Sequence, residues 1–308
     1  MTSPKNFTVV GLGELLWDLF PEGKQLGGAP ANFAYMTNLL GDAGVVASRV
    51  GQDELGRAAT QRLESLGLDT ASIQRDGVRS TGVVKVDVDP AGQPTFHIAE
   101  NVAWDFLEWT AGWRALAESA DAVCFGSLAQ RSAASRQTIC SFLKAVRPGA
   151  TRVFDVNLRQ HFYSAAILEQ SAQLCDIIKV NHDELPVVAK LLALPFIYDE
   201  TRAAQWLREK YQAKLVCITR GARGSLVVSA EETSEHPGYR VHVADTVGAG
   251  DAFTAALVYH YLRNASIFTL NEAANRMGSW VASRTGATPA PDEFHLEKVR
   301  NAIGVEDY

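Results

Sequence analysis

The chain has 308 residues, of which 47% are hydrophobic and 21% charged. That balance supports a sizeable buried core and excludes a disordered, collagen-like or low-complexity chain. The formal net charge is −6, without the basic excess that a phosphodiester backbone requires, so nucleic acid is not an expected partner. A small anionic ligand remains compatible, because a local nest of backbone N–H groups can hold one. The length fits two domains or one large α/β domain.

Short apolar runs alternate with longer amphipathic ones. Strands are predicted at Phe7–Gly11, Val45–Val50, Val83–Asp87, Ala122–Phe125, Arg152–Asp155, Asp176–Val180, Leu215–Thr219 and Ser225–Val228. Several are continuously apolar, as strands buried on both faces of a parallel sheet are. Helices are predicted at Pro30–Leu40, Glu54–Leu66, Ala133–Val146, Asp183–Leu192, Thr201–Tyr211, Ala249–Tyr261 and Asn271–Ser283, with Pro30 and Pro186 in first turns. The alternation predicts a doubly wound α/β fold, a mostly parallel sheet flanked by helices with ligands at the strands' C-terminal ends.

From Ser80 to Ile98 the alternation breaks into a hairpin that turns at Asp89-Pro90-Ala91-Gly92 and reads as a small flap. Trp104, Trp109 and Trp113 follow and read as core packing. Cys124, Cys140, Cys175 and Cys217 form no C-x-x-C pair and read as buried thiols in a reducing cytoplasm. No apolar run suits a signal peptide or a membrane-spanning helix.

The stretch Asp245-Thr246-Val247-Gly248-Ala249-Gly250-Asp251 leads straight into a helix. Small residues allow a tight turn, and the unpaired N–H groups of a first helical turn attract an anion. A lone Asp here is ordinarily a helix cap. A carboxylate beside an anion hole is also what phosphoryl transfer to an alcohol requires. A second small-residue segment, Gly27-Gly28-Ala29-Pro30-Ala31-Asn32, also enters a helix, and Asp18 follows the first strand. The P-loop pattern is absent, as are the protein-kinase signatures. Leu16 stands where a dinucleotide motif has its third glycine, which disfavours a nicotinamide-dependent dehydrogenase.

These two glycine-rich segments, in this order, resemble the paired signatures of the ribokinase-like (pfkB) carbohydrate kinases. Asn181-His182-Asp183-Glu184 is similar to the family's N-x-x-E element, and Thr219-Arg220-Gly221-Ala222-Arg223-Gly224 to its nucleotide loop. Asp155-Val156-Asn157-Leu158-Arg159 resembles the D-P-N-x-R run of fructokinase-type members, with Val156 in place of the proline. The resemblance covers nearly the whole chain and implies a single ribokinase-like domain over 1–308, with a β-sheet lid formed by roughly 14–28 and 80–104.

The resemblance also implies ATP-dependent phosphorylation of a free sugar at a primary hydroxyl, fructose to fructose 6-phosphate first. Ribose, 2-keto-3-deoxygluconate and adenosine are the alternative acceptors, and a non-catalytic sugar-binding regulator is the reading from another class. The implied base is Asp251, with the amides of Gly248, Ala249 and Gly250 as anion hole. Asp18, Gly28, Asn32, Asn101, Asn157 and Arg159 fall on the sugar side; Asn181, Thr219, Gly221, Gly224 and Asn275 fall on the nucleotide side. Glu184 is implied in orienting Mg2+ through water, and Asp245, Val247 and Gly286 in holding K+. Phe96 and His97 read as hairpin and surface residues. A homodimer formed through the lid completes the expectation.

Overall fold

The computed structural model describes residues 6–20, 23–88, 94–195 and 199–304. Thirteen strands are found among them: β1 (Thr8–Leu12), β2 (Leu16–Phe20), β3 (Gly23–Gly27), β4 (Ala43–Gly51), β5 (Ile73–Asp76), β6 (Gly82–Val88), β7 (Pro94–Ile98), β8 (Ala122–Phe125), β9 (Thr151–Asp155), β10 (Ile177–Asn181), β11 (Leu215–Thr219), β12 (Ser225–Val228) and β13 (Thr233–His236). Nine form one sheet in the order β13-β12-β11-β10-β9-β8-β1-β4-β5, and four form a small separate sheet in the order β3-β2-β6-β7. The large sheet is parallel from β5 to β11, with β12 and β13 antiparallel at one edge.

The continuous apolar runs divide by period two between two cores. Val9, Val153, Ile177, Leu215 and Cys217 face one core, with the helices Ala29–Leu40, Glu54–Ser65, Ala249–Tyr261 and Ile267–Ala282. Val10, Phe154, Ile178, Val216 and Ile218 face the other, with Ala111–Ser119, Ala133–Ala145, Ala165–Gln173, Leu185–Leu191 and Glu200–Tyr211. A strand with both faces covered has no polar alternation to display, which is why these runs are unbroken. All four cysteines are free and buried. No helix among the described residues is long and apolar enough to cross a membrane.

The sheet order places a topological switch at β1, whose neighbours are β4 on one side and β8 on the other. Successive strands wind away in opposite directions from there, which opens a crevice at their C-terminal ends. The small sheet stands over that end. Its hairpin β6–β7 matches the expected flap, although the Asp89–Gly92 turn lies outside the described residues. Its other half, the antiparallel pair β2–β3 with β2 parallel to β6, is built from the segment that links β1 to the first helix.

Close approach fixes that first helix on the sheet. A Cβ on Gly11 would stand 2.2 Å from Pro30 O, and one on Gly44 would stand 2.0 Å from Ala34 O. Gly11→Ala should therefore push the helix off β1 and cost about 2–3 kcal/mol. Urea unfolding followed by circular dichroism checks this, and an unchanged midpoint would contradict the packing.

Trp104 and Trp113 are buried and Trp109 packs at the core margin. Trp109 and Trp113 meet Phe142 edge to face, with ring centroids 6.0 and 5.9 Å apart.

Candidate active site

A cleft of about 1220 Å3 lies between the strand ends of the large sheet and the small sheet. Leu16, Asp18, Val84 and Ile98 line it from the small sheet, and Asp155, Lys179, Asn181 and Thr219 from the large one. No tryptophan lines it, so the three tryptophans are core residues and not a stacking platform.

Gly248 begins the helix Ala249–Tyr261 in a left-handed conformation at φ 77. A Cβ there would meet Ala287 Cβ at 2.7 Å, so only glycine makes this turn against that neighbour. The Ala249 amide donates to Thr246 O at 3.2 Å and the Val247 amide to Asp245 Oδ1 at 3.0 Å. Ala249 N belongs to the turn and drops out of the expected anion hole, while the amides of Gly248, Gly250 and Asp251 have no backbone acceptor among the described residues.

Asp251 sits in the first turn of this helix and lines the cleft. Its Oδ2 accepts a 2.8 Å hydrogen bond from Asn32 Nδ2. Burial, with the neighbouring charge of Asp155, raises its pKa to about 6. Asn32 lies in the first turn of the helix Ala29–Leu40, whose N-cap, Gly28, has φ 111. A Cβ on Gly28 would strike Glu14 O at 2.5 Å. Asp18 lies on β2 opposite Gln25 and Val84, and a Cβ on Gly27 would meet its Oδ2 at 2.4 Å. Burial raises the Asp18 pKa to about 6, against the lowering effect of Arg159.

Beneath the nest lies a buried ion pair that motif reading missed. Lys179 Nζ donates to both Asp155 oxygens at 2.9 Å, and Thr254 Oγ1 donates to Asp155 Oδ2 at 3.0 Å. A Cβ on Gly250 would stand 3.2 Å from Lys179 Nζ. The period of two explains the placement: Lys179 shares a face with Ile177, and Asp155 with Val153, toward the helix that carries Thr254. The available signal was a lone lysine inside the run Ile177-Ile178-Lys179-Val180.

Glu184 is held by the backbone, accepting from Leu158 N at 2.8 Å and from Asn181 N at 3.0 Å. Asn181 Oδ1 in turn accepts from the amides of Asp183 and Glu184. Among the described residues no group of three or more His, Cys, Asp or Glu side chains is arranged to hold a metal.

Thr219 ends β11 and lines the cleft with Gly221 and Gly224, at φ 59 and φ 79. A Cβ on Gly224 would stand 1.9 Å from His236 O. Asn275 also lines the cleft, but its Nδ2 is spent inward on Ser225 Oγ and Asn271 O, both at 2.7 Å. Asn157 and Arg159 line the cleft from the loop after β9.

Two expected residues lie outside the cleft lining. Asn101 is exposed in a turn at φ 58, a left-handed conformation that asparagine tolerates and that accounts for the residue type there. Gly286, at φ 77, donates its amide to Asp245 Oδ2 at 3.1 Å. The Asp245 carboxylate thereby ties Gly286 to Val247, which does line the cleft. His97 is exposed opposite Lys85 on β6, and the Phe96 side chain lies outside the described residues.

The two-sheet architecture and its cleft define a ribokinase-like α/β protein. The sequence pattern of the pfkB family carbohydrate kinases matches residues 21–293. A Pyrococcus horikoshii protein, described as an uncharacterized sugar kinase, is 30% identical over 318 residues, which span 96% of each chain. Its crystal structure superposes with a TM-score of 0.82 over 96% of this chain and 99% of that one. The fructokinase of Escherichia coli is 29% identical, covering 93% of this chain and 98% of that protein. A fructokinase double mutant from Vibrio cholerae O395, solved with fructose, ADP and potassium ion, superposes with a TM-score of 0.80 at 27% identity over 97% of this chain and all of that one. The chain belongs to the pfkB family of carbohydrate kinases and is a sugar kinase.

Replacing Lys179 by Met should leave the Asp155 carboxylate buried without its cation and cost about 3–5 kcal/mol. Chemical denaturation checks this, and adding Asp155→Leu to the variant should recover most of the loss.

Proposed function

We propose that the protein transfers the γ-phosphate of ATP to the primary hydroxyl of a free sugar, fructose to fructose 6-phosphate being the first candidate. The observation that carries this reading is the Asp251 carboxylate, which lines the cleft at a helix N-terminus, bonded to Asn32 and adjacent to the free amides of Gly248 and Gly250. Asp251 accepts the hydroxyl proton. The two amides and the helix dipole hold the charge of the migrating phosphoryl group. Asn32 orients the base, and a sugar hydroxyl between them and Asp18 has both donors and acceptors to meet. Asn157 and Arg159 flank the same space.

Nucleotide contacts fall to Thr219, Gly221 and Gly224, whose backbone turns tightly at the end of β11, and to Asn181 and Asn275. Magnesium suits this reading as the counter-ion of the ATP phosphates, offsetting their charge, with Glu184 orienting it through water. Asp245, Val247 and Gly286 are drawn together by one carboxylate, which suits a potassium site built from their carbonyl oxygens. The small sheet acts as a lid that excludes water, a competing phosphoryl acceptor. Its strands β3 and β7 are open edges, through which a second copy of the chain pairs. Four free buried thiols fit a reducing compartment such as the cytoplasm.

Asp251→Asn should lower kcat by about 10²–10⁴-fold while leaving sugar and ATP binding nearly intact. Coupled ADP-release kinetics and calorimetry check the two halves separately, and near-normal turnover would remove Asp251 as the base. Because the base must be ionised, kcat/KM with the wild-type protein should climb as pH rises through about 6. A profile flat from pH 5 to 8 would contradict that role.

A further inference from the structure

Phosphoryl transfer by Asp251 makes no use of the Glu14 carboxyl group. Glu14 follows β1, lines the cleft and is only 6% exposed. Its Oε1 accepts a long 3.3 Å hydrogen bond from the Ala29 amide, the first residue of the helix that carries Asn32. Its own carbonyl oxygen lies against Gly28, where a Cβ would come within 2.5 Å. The charged groups that face it are Asp251, from the helix Ala249–Tyr261, and Arg159, from the loop after β9; Asp18, on β2, lines the same cleft.

A carboxyl group in this position is costly if it serves the helix alone. A glutamine would accept the same amide proton without bringing a charge into a buried site beside another acid. The group is well placed for a ligand: it lines the cleft, and the two backbone amides that it meets, its own and that of Ala29, leave part of its hydrogen-bonding capacity unspent.

We propose that Glu14 is an acceptor-binding residue, whose carboxylic acid keeps the Ala29 amide on one oxygen and donates its proton in a hydrogen bond to an oxygen of the sugar other than the one Asp251 deprotonates. This rests on the reading that a sugar occupies the cleft beside Asp251. Burial raises the Glu14 pKa to about 7, so the neutral donor is well populated up to neutral pH. Two carboxyl groups on one acceptor then divide the work by protonation state: Asp251 ionises first and takes a proton, while Glu14 stays neutral and gives a hydrogen bond.

The test compares Glu14→Gln with Glu14→Ala, using whichever of fructose, ribose, glucose, 2-keto-3-deoxygluconate and adenosine the wild-type protein binds tightest by calorimetry without ATP. Glu14→Gln keeps a neutral donor and acceptor, so it should bind that acceptor within about threefold of wild type at pH 6.5 and show no pH dependence of affinity up to pH 9. Wild-type affinity should fall as pH rises through about 7. Glu14→Ala should weaken binding about tenfold at pH 6.5, with the gap from wild type narrowing as pH rises past about 7, and with ATP affinity unchanged as the sign that the fold is intact. Loss of ATP binding as well would show Glu14 to be a structural strut and overturn the proposal, as would a wild-type pH profile that Glu14→Gln does not flatten. If the wild-type protein binds the acceptor but releases no ADP with it, the kinase reading fails while these binding comparisons still decide the role of Glu14.

Discussion

One hydrogen bond, from Asn32 Nδ2 to Asp251 Oδ2, joins two helix N-termini that are 219 residues apart in sequence. It requires the helix Ala29–Leu40 to lie close on β1, which Gly11 and Gly44 permit, and the helix Ala249–Tyr261 to start in a left-handed turn, which Gly248 permits. Asn32 lies in the helix that directly follows the small-sheet strands β2 and β3, and Asp251 in the first turn of the helix that begins at the glycine-rich turn. The contact therefore fixes the small-sheet side of the cleft relative to the glycine-rich turn at Gly248. Small residues around it are the spacing that lets three pieces of backbone converge on one carboxylate.

The electrostatics of the cleft follow first from burial. Asp251, Asp18 and Glu14 are all pushed above the usual carboxylate range, burial being the largest cause in each. Lys179 is committed to Asp155, which also accepts from Thr254 beneath the nest, so its charge is fixed in place. Such a pair contributes little net stability, because desolvation offsets the attraction. What it provides is a rigid positive charge next to Gly250, where the backbone amides already favour an anion.

Much of this was legible in the sequence. The continuous apolar runs gave the central strands, and the helix Ala249–Tyr261 starts and ends where its pattern does. The strands β2, β3, β5 and β13 did not stand out. β3 reads Gly-Lys-Gln-Leu-Gly and is largely exposed, and β13, at the sheet edge, alternates without a strong apolar face; edge strands carry little pattern because only one face is buried. The helices Ala111–Ser119, Ala165–Gln173 and Glu293–Arg300 were also missed, being short and weakly patterned, although Thr110, Ser164 and Asp292 cap them. Both glycine-rich motifs line the cleft at the strand ends. The Lys179–Asp155 pair was hidden because its partners are 24 residues apart and meet only through adjacent parallel strands. The spent amide of Ala249 was hidden because backbone pairing leaves no mark on residue type.

The central claim is that the Asp251 carboxylate faces the reacting hydroxyl of a bound sugar, with the nest on the far side of the migrating phosphoryl group. A crystal structure with fructose, ADP and a trigonal fluoride mimic of the transferring phosphate tests it most directly. The account predicts a primary hydroxyl within hydrogen-bond reach of Asp251 and the mimic against the amides of Gly248 and Gly250. A sugar seated with its primary hydroxyl turned away from Asp251, or a mimic held elsewhere in the cleft, would contradict it.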